Sequence, residues 1–171
     1  MKYLLILLGA LVHQTNIESI ESPIACKVEK IFVVGLSIVT SNETFQTEGV
    51  PLWGRFFTDN IAEKIPGRVN SDLLAVYTNY QGDFTKPFTY ILGCEVANLN
   101  QIPEGMVGLE IDEATYSLYT AKGEFPGSML ETWRAIWTST NRAYTTDFEV
   151  YPSDFNPAAN PEIKIFIATT D

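Results

Sequence analysis

The chain has 171 residues, 46% of them hydrophobic and 12% aromatic, enough apolar surface for one substantial core and too little charge for a disordered chain. Lys and Arg total 11 against 21 Asp and Glu, so the formal net charge is −10, and no basic cluster interrupts the acidity. Such a chain is repelled by phosphate backbones, which excludes direct nucleic-acid binding from the expectations and leaves neutral or cationic small molecules as the easier partners.

The first element is "MKYLLILLGALV": one Lys, an apolar run from Leu4 to Val12, then polar residues. This is the pattern of a secretory leader, assigned to residues 1–22, and it is too short to span a bilayer, so no stable membrane insertion is expected. With a leader the protein is exported to a periplasmic or extracellular location; without one it is cytoplasmic. The two cysteines, Cys26 and Cys94, could pair after export, but Cys94 sits inside the apolar run "YILGCEV" and reads better as a small buried hydrophobe. The single histidine, His13, lies in the leader, so neither a His-based triad nor a His-ligated metal is expected in residues 23–171. No metal and no cofactor are expected. The oligomeric state is not legible.

"CKVEKIFVVGLSIVTSN" reads as one long strand ending in a polar turn at Ser41 and Asn42. "VPLWGRFFTDNIAEKI" reads as a helix with Pro51 in its first turn and Leu52, Trp53, Phe56, Phe57 and Ile61 on one face. "LLAVYTNY" is a strand, "QGDFTKP" a loop and "FTYILGCEVANL" a strand. "QIPEG" marks the midpoint, and "MVGLEI", "DEA" and "TYSLYTAKG" read as a hairpin. "FPGSMLETWRAIWTSTN" is the second helix, with an apolar stripe of Met129, Leu130, Trp133, Ile136 and Trp137 that marks both tryptophans as core. "AYTTDFEVY" and "EIKIFIAT", either side of a Pro/Asn loop, close the chain as strands.

The order is β-α-β-β twice, with the first strand of the second unit replaced by a hairpin. The fold class is therefore α+β: two β-α-β-β repeats forming one antiparallel sheet, both helices on one face and a central cleft on the other. Period-2 alternation puts Phe148 and Val150 under the helices and Asp147, Glu149 and Tyr151 on the cleft face. From the pattern alone that second face reads as the solvent side of an antiparallel sheet; against this, Tyr80, Tyr151, Phe166 and Ile91 would leave large apolar groups on it, the mark of a binding surface.

"GLSIVTSN", "PLWGRFF", "VYTNYQGDFTKPFTYILGCEV", "PEGM", "ETWRAIW" and "RAYTTDFEVY", taken in order from Lys27 to Thr169, resemble the GyrI-like small-molecule-binding domain, the effector-binding half of several bacterial transcription activators and also a stand-alone protein. The resemblance implies a central cleft with a buried acid walled by aromatics. The acid falls on Glu149, with Glu162 as a second acid at the start of the last strand. Tyr80, Phe125 and Tyr151 fall on wall positions; Trp53 matches the helix-one motif, though its stripe position favours the core. Glu95 borders the cleft at most. The implied function is binding of a hydrophobic or cationic small molecule. A second implied function is hydrolysis of electrophilic cyclopropane-bearing compounds, as in some stand-alone relatives, with Glu149 as general base and Tyr151 as acid. A third is a protein-interaction module, as in relatives that protect gyrase. The activators add a helix-turn-helix module, and none is expected within these residues.

The leader has a direct check. Protein recovered from its native host should have an intact mass that starts beyond the apolar run; a cytosolic species whose mass counts from Met1 contradicts it.

Overall fold

The computed structural model describes residues 20–170; the expected leader, apart from its last three residues, lies outside them. Eight strands form one sheet: β1 (Ile24–Val28), β2 (Ile31–Thr40), β3 (Leu73–Thr78), β4 (Phe88–Val96), β5 (Val107–Ile111), β6 (Ala114–Ala121), β7 (Thr146–Tyr151) and β8 (Ile163–Ala168). The helices are α1 (Phe45–Thr58), α2 (Ile61–Lys64) and α3 (Gly127–Trp137). The sheet order is β1-β6-β8-β7-β3-β4-β2-β5, and all pairs are antiparallel. Thus β2-α1-β3-β4 and β6-α3-β7-β8 are the two expected repeats, and they join where β3 pairs with β7. Among the described residues no helix is long and apolar enough to cross a membrane.

Helix α1 starts earlier than its apolar stripe suggested. The Thr44 hydroxyl donates to the Glu48 carboxylate at 2.6 Å, adding a polar first turn ahead of Pro51. The helix also ends sooner: Asn60 takes a left-handed conformation (φ 49°), which separates Ile61 into the short α2.

The long first strand and the expected hairpin are both rearranged. The first strand breaks at residues 29–30, and β5 does not pair with β6. Instead β1 pairs with β6 and β5 with β2. Val28 lies opposite Ala114 and Ile31 opposite Ile111, so one register runs across both breaks. The two edges of the sheet are therefore made by the same two chain segments, and the sheet curls back on itself. Exposed ion pairs flank the break, Lys27 with Glu113 at 2.9 Å and Lys30 with Asp112 at 3.6 Å.

Curling buries both faces of the sheet. One face packs under the helices, with Trp53, Phe56, Tyr90, Leu92, Ile136 and Ile165 in its core. The other lines the inside of the curl, with Val33, Val76, Ile91, Tyr116 and Phe148 in a second core. There Phe148 stacks on Phe166 at 4.6 Å between ring centres. The face assignment for β7 is corrected accordingly. Phe148 and Val150 face the inside of the curl, while Glu149 lies opposite Ile165 of β8 and Tyr151 packs on Trp53 of α1. Phe166 and Ile91 belong to the second core, not to the face of Tyr80 and Tyr151. The cleft accordingly lies between the sheet and the helices, not on the opposite face. Alternation sorts residues onto two faces but does not say which face carries the helices when both are buried.

The two cysteines fall in different cores, Cys94 under the helices and Cys26 inside the curl, and both are free thiols.

One pair of glycines lets the backbones of β2 and β4 approach closely. Gly35 of β2 lies opposite Gly93 of β4, at the end of the pairing between β2 and β5. A Cβ at Gly35 would run into the Leu92 carbonyl, and one at Gly93 into the Val34 carbonyl. Gly93→Ala is expected to lose about 1–3 kcal/mol of stability in urea unfolding, the scale of forced overpacking; a loss under about 0.5 kcal/mol would show that the close approach is not required.

Candidate functional site

The central strands place their side chains by simple alternation. On β7, Asp147, Glu149 and Tyr151 point to the helix side; the register puts Ala75 beside Glu149 and Tyr77 beside Asp147, with Tyr90 of β4 next to Tyr77. A space is left at the centre, over Tyr77, Tyr90, Glu149 and Tyr151. Helices α1 and α3 flank this space, contributing Trp53 from one and Met129, Trp133 and Trp137 from the other. The cavity so formed holds about 820 Å³ of empty space including its mouth.

Glu149 is the carboxylate at its floor, 2% exposed. Its Oε1 accepts from the Trp133 indole N–H at 2.7 Å and from the Tyr77 hydroxyl at 3.0 Å, and its Oε2 accepts from the Tyr151 hydroxyl at 2.8 Å. All three donors are neutral groups. Around them Tyr77 packs edge to face on Tyr90 at 5.1 Å and Trp53 on Tyr151 at 4.9 Å, while Tyr77 and Trp133 meet at a tilt with centres 5.0 Å apart. The Trp53 indole N–H donates to the Tyr90 hydroxyl at 2.8 Å.

Burial raises the Glu149 pKa above its ordinary value, and the bonds from Tyr151, Trp133 and Tyr77 pull it part of the way back. Burial also pushes Tyr77, Tyr90 and Tyr151 well above the usual tyrosine range, with the Glu149 charge adding to the shift. The tyrosines therefore stay protonated, and Tyr77 and Tyr151 act as donors to Glu149.

A second buried acid sits two residues earlier. Asp147 Oδ2 accepts from Arg142 Nη2 at 2.8 Å and from the Tyr80 hydroxyl at 2.7 Å, and Oδ1 accepts from the Ala168 backbone N–H at 2.8 Å. The two acids of β7 thus differ in kind: Asp147 has a cation beside it, whereas Glu149 has only neutral donors.

Of the residues singled out from the sequence, Glu149, Tyr151, Tyr80 and Trp53 come together in the cavity wall. Glu162 does not join them; its side chain is 54% exposed and lies 3.8 Å from Lys122. Phe125 packs edge to face on Phe155 at 5.3 Å, outside the lining. Trp133 and Trp137, read as core from their stripe, line the cavity together with Met129 and Leu130, because the stripe of α3 faces this space rather than a filled layer. Tyr77, Tyr90, Arg142 and the Trp133 bond to Glu149 were missed. Strand alternation could have paired Tyr77 with the acid face had the β3–β7 register been known. Among the described residues no three His, Cys, Asp or Glu side chains cluster as metal ligands.

The raised Glu149 pKa has a consequence for folding. The folded protein holds this proton at pH values where the unfolded chain has released it, so stability falls as pH rises from the ordinary carboxylate range through the raised value. Glu149→Gln removes that loss. In urea unfolding the variant is expected to be more stable than wild type at about pH 8, with the difference closing toward about pH 4. A difference that does not change with pH contradicts the burial account.

The profile of the Cass2 family, described as integron-associated effector binding protein, matches residues 26–169. The YobU protein of Bacillus subtilis (strain 168) is 25% identical over 142 residues, covering 78% of this chain and 89% of YobU. An integron cassette protein from the mobile metagenome of Vibrio cholerae has the same fold, with a TM-score of 0.68, 26% identity, and coverage of 88% of this chain and 97% of that one. SAV2435, solved bound to tetraphenylphosphonium, superposes with a TM-score of 0.70 at 12% identity, over 88% of this chain and 94% of its own. The GyrI-like resemblance stands, and the chain belongs to the Cass2 family of integron-associated effector-binding proteins.

Proposed function

We propose that the chain binds a lipophilic organic cation in this cavity, with Glu149 as the anchor and Tyr77, Tyr90, Tyr151, Trp53 and Trp133 as the wall. The observation that carries the reading is the state of Glu149: a carboxylate buried among rings, with three neutral donors and, among the described residues, no cationic partner in hydrogen-bond contact. A buried carboxylate without a counter-charge is costly, and a ligand that brings the charge relieves that cost. Aromatic faces add cation–π attraction, which strengthens where water is excluded. Tetraphenylphosphonium, the ligand of SAV2435, is a cation of this class, and its complex on the same fold supports the reading.

Hydrolysis is the weaker proposal. A general base needs a lone pair open to water, and three of the roughly four lone-pair sites of Glu149 already accept from side-chain donors. Tyr151, the acid in that scheme, donates its hydroxyl proton to the base itself. The arrangement favours holding a charge over moving a proton.

Tetraphenylphosphonium affinity can be followed through the cavity tryptophans. Glu149→Gln should weaken binding by about 1–3 kcal/mol, the scale of losing one charged partner in a buried site. Glu162→Gln, on the exposed side chain, should leave affinity unchanged. Equal affinity of Glu149→Gln and wild type contradicts the anchor, and weakened binding in Glu162→Gln moves the anchor elsewhere.

A further inference from the structure

Arg142 is a polar feature of the cavity that cation anchoring leaves unused. It lies between α3 and β7, its side chain is 1% exposed, and it lines the same cavity as Glu149. Only one of its nitrogens is engaged: Nη2 donates to Asp147 Oδ2 at 2.8 Å and to the Tyr80 hydroxyl at 3.3 Å. Nε and Nη1 are buried with no hydrogen-bond partner in the described protein. Three N–H bonds of a guanidinium are thereby desolvated. The group is held in place over the Tyr144 ring, 4.4 Å from its centre, with the Trp133 ring 6.0 Å away. Trp133 also donates to Glu149, so one indole lies against both polar ends of the cavity.

Leaving buried charged donors unpaired is strongly unfavourable, and native structures rarely do so without a reason. Resting on the cation-binding reading, we propose that the ligand carries a second recognition element: a neutral hydrogen-bond acceptor of the carbonyl type, across the Trp133 ring from its cationic group, that accepts from Arg142 Nε or Nη1. Charge balance selects a neutral acceptor. Arg142 and Asp147 form an ion pair and cancel, so the net charge of the cavity comes from Glu149. A monocation neutralises it. A zwitterion that placed a carboxylate on Arg142 would leave one negative charge uncompensated in an apolar space. The ligand class is therefore an aromatic monocation bearing a ketone, ester or amide oxygen.

Two matched probes test this by calorimetry: (4-benzoylbenzyl)trimethylammonium, which has a ketone between its rings, and (4-benzylbenzyl)trimethylammonium, which has a methylene there. Wild type should bind the ketone about tenfold more tightly, the scale of one hydrogen bond to a charged group. Arg142→Lys keeps a cation beside Asp147 and removes the guanidinium donors, and the preference should fall to about twofold or less. Should that variant fail to fold, Arg142→Met combined with Asp147→Asn removes the ion pair as a unit and should give the same collapse. Equal wild-type affinity for both probes overturns the acceptor while leaving cation binding standing. No wild-type binding of either probe overturns cation binding and the acceptor together. A preference that survives both substitutions assigns it to another group and overturns the role of Arg142.

Discussion

A single buried carboxylate organises this molecule. Glu149 sits in the middle of the sheet, out of water, and its oxygens are held by an indole and two phenols. Such a group persists only if its strand cannot shift and its donors cannot leave. The second core supplies the first condition: Phe148, next to the acid, is stacked on Phe166 inside the curl, so β7 is gripped on both faces. The interlocked rings supply the second, since Tyr77, Tyr90 and Trp133 pack on one another as well as on the site.

The fold class was legible because both helices have clear apolar stripes and the strands alternate cleanly. The acid was legible too: "DFEVY" puts a carboxylate between aromatics with period 2, and the resemblance to GyrI-like domains fell on the same residue. What was hidden is everything decided by long-range register. Both faces of β7 are buried, so alternation alone could not tell the helix side from the inside of the curl. The apparent hairpin at "MVGLEIDEATYSLYTAKG" has the right letters, yet β5 finds its partner in β2 rather than in β6. Trp133 illustrates a different limit. A stripe residue over a filled layer is core, and the same residue over the space at Glu149 is a cavity wall. Glu162 shows the reverse: its position in the sequence suggested the cleft, but the alternation of β8 turns it out to solvent beside Lys122.

The two acids of β7 divide the electrostatics of the site. Asp147 is neutralised within the protein by Arg142, and this pair fixes the segment between α3 and β7 against the last strand through the Ala168 N–H. Glu149 is stabilised only by dipoles, which leaves its charge to act on whatever enters. The cavity thus holds a carboxylate without a counter-charge at Glu149 and a paired guanidinium at Arg142, with ring faces lining the space between them.

The central claim is that the Glu149 charge is held in reserve for a cation, and the carboxyl's own titration reports on it most directly. Carbon NMR of a Glu-labelled protein, with Glu149 assigned by its Gln variant, gives the midpoint in the empty state and with tetraphenylphosphonium at saturation. The account expects a midpoint above the ordinary carboxylate range when the cavity is empty and a clear fall when the cation is bound, with protons released on binding. The same midpoint in both states would contradict it.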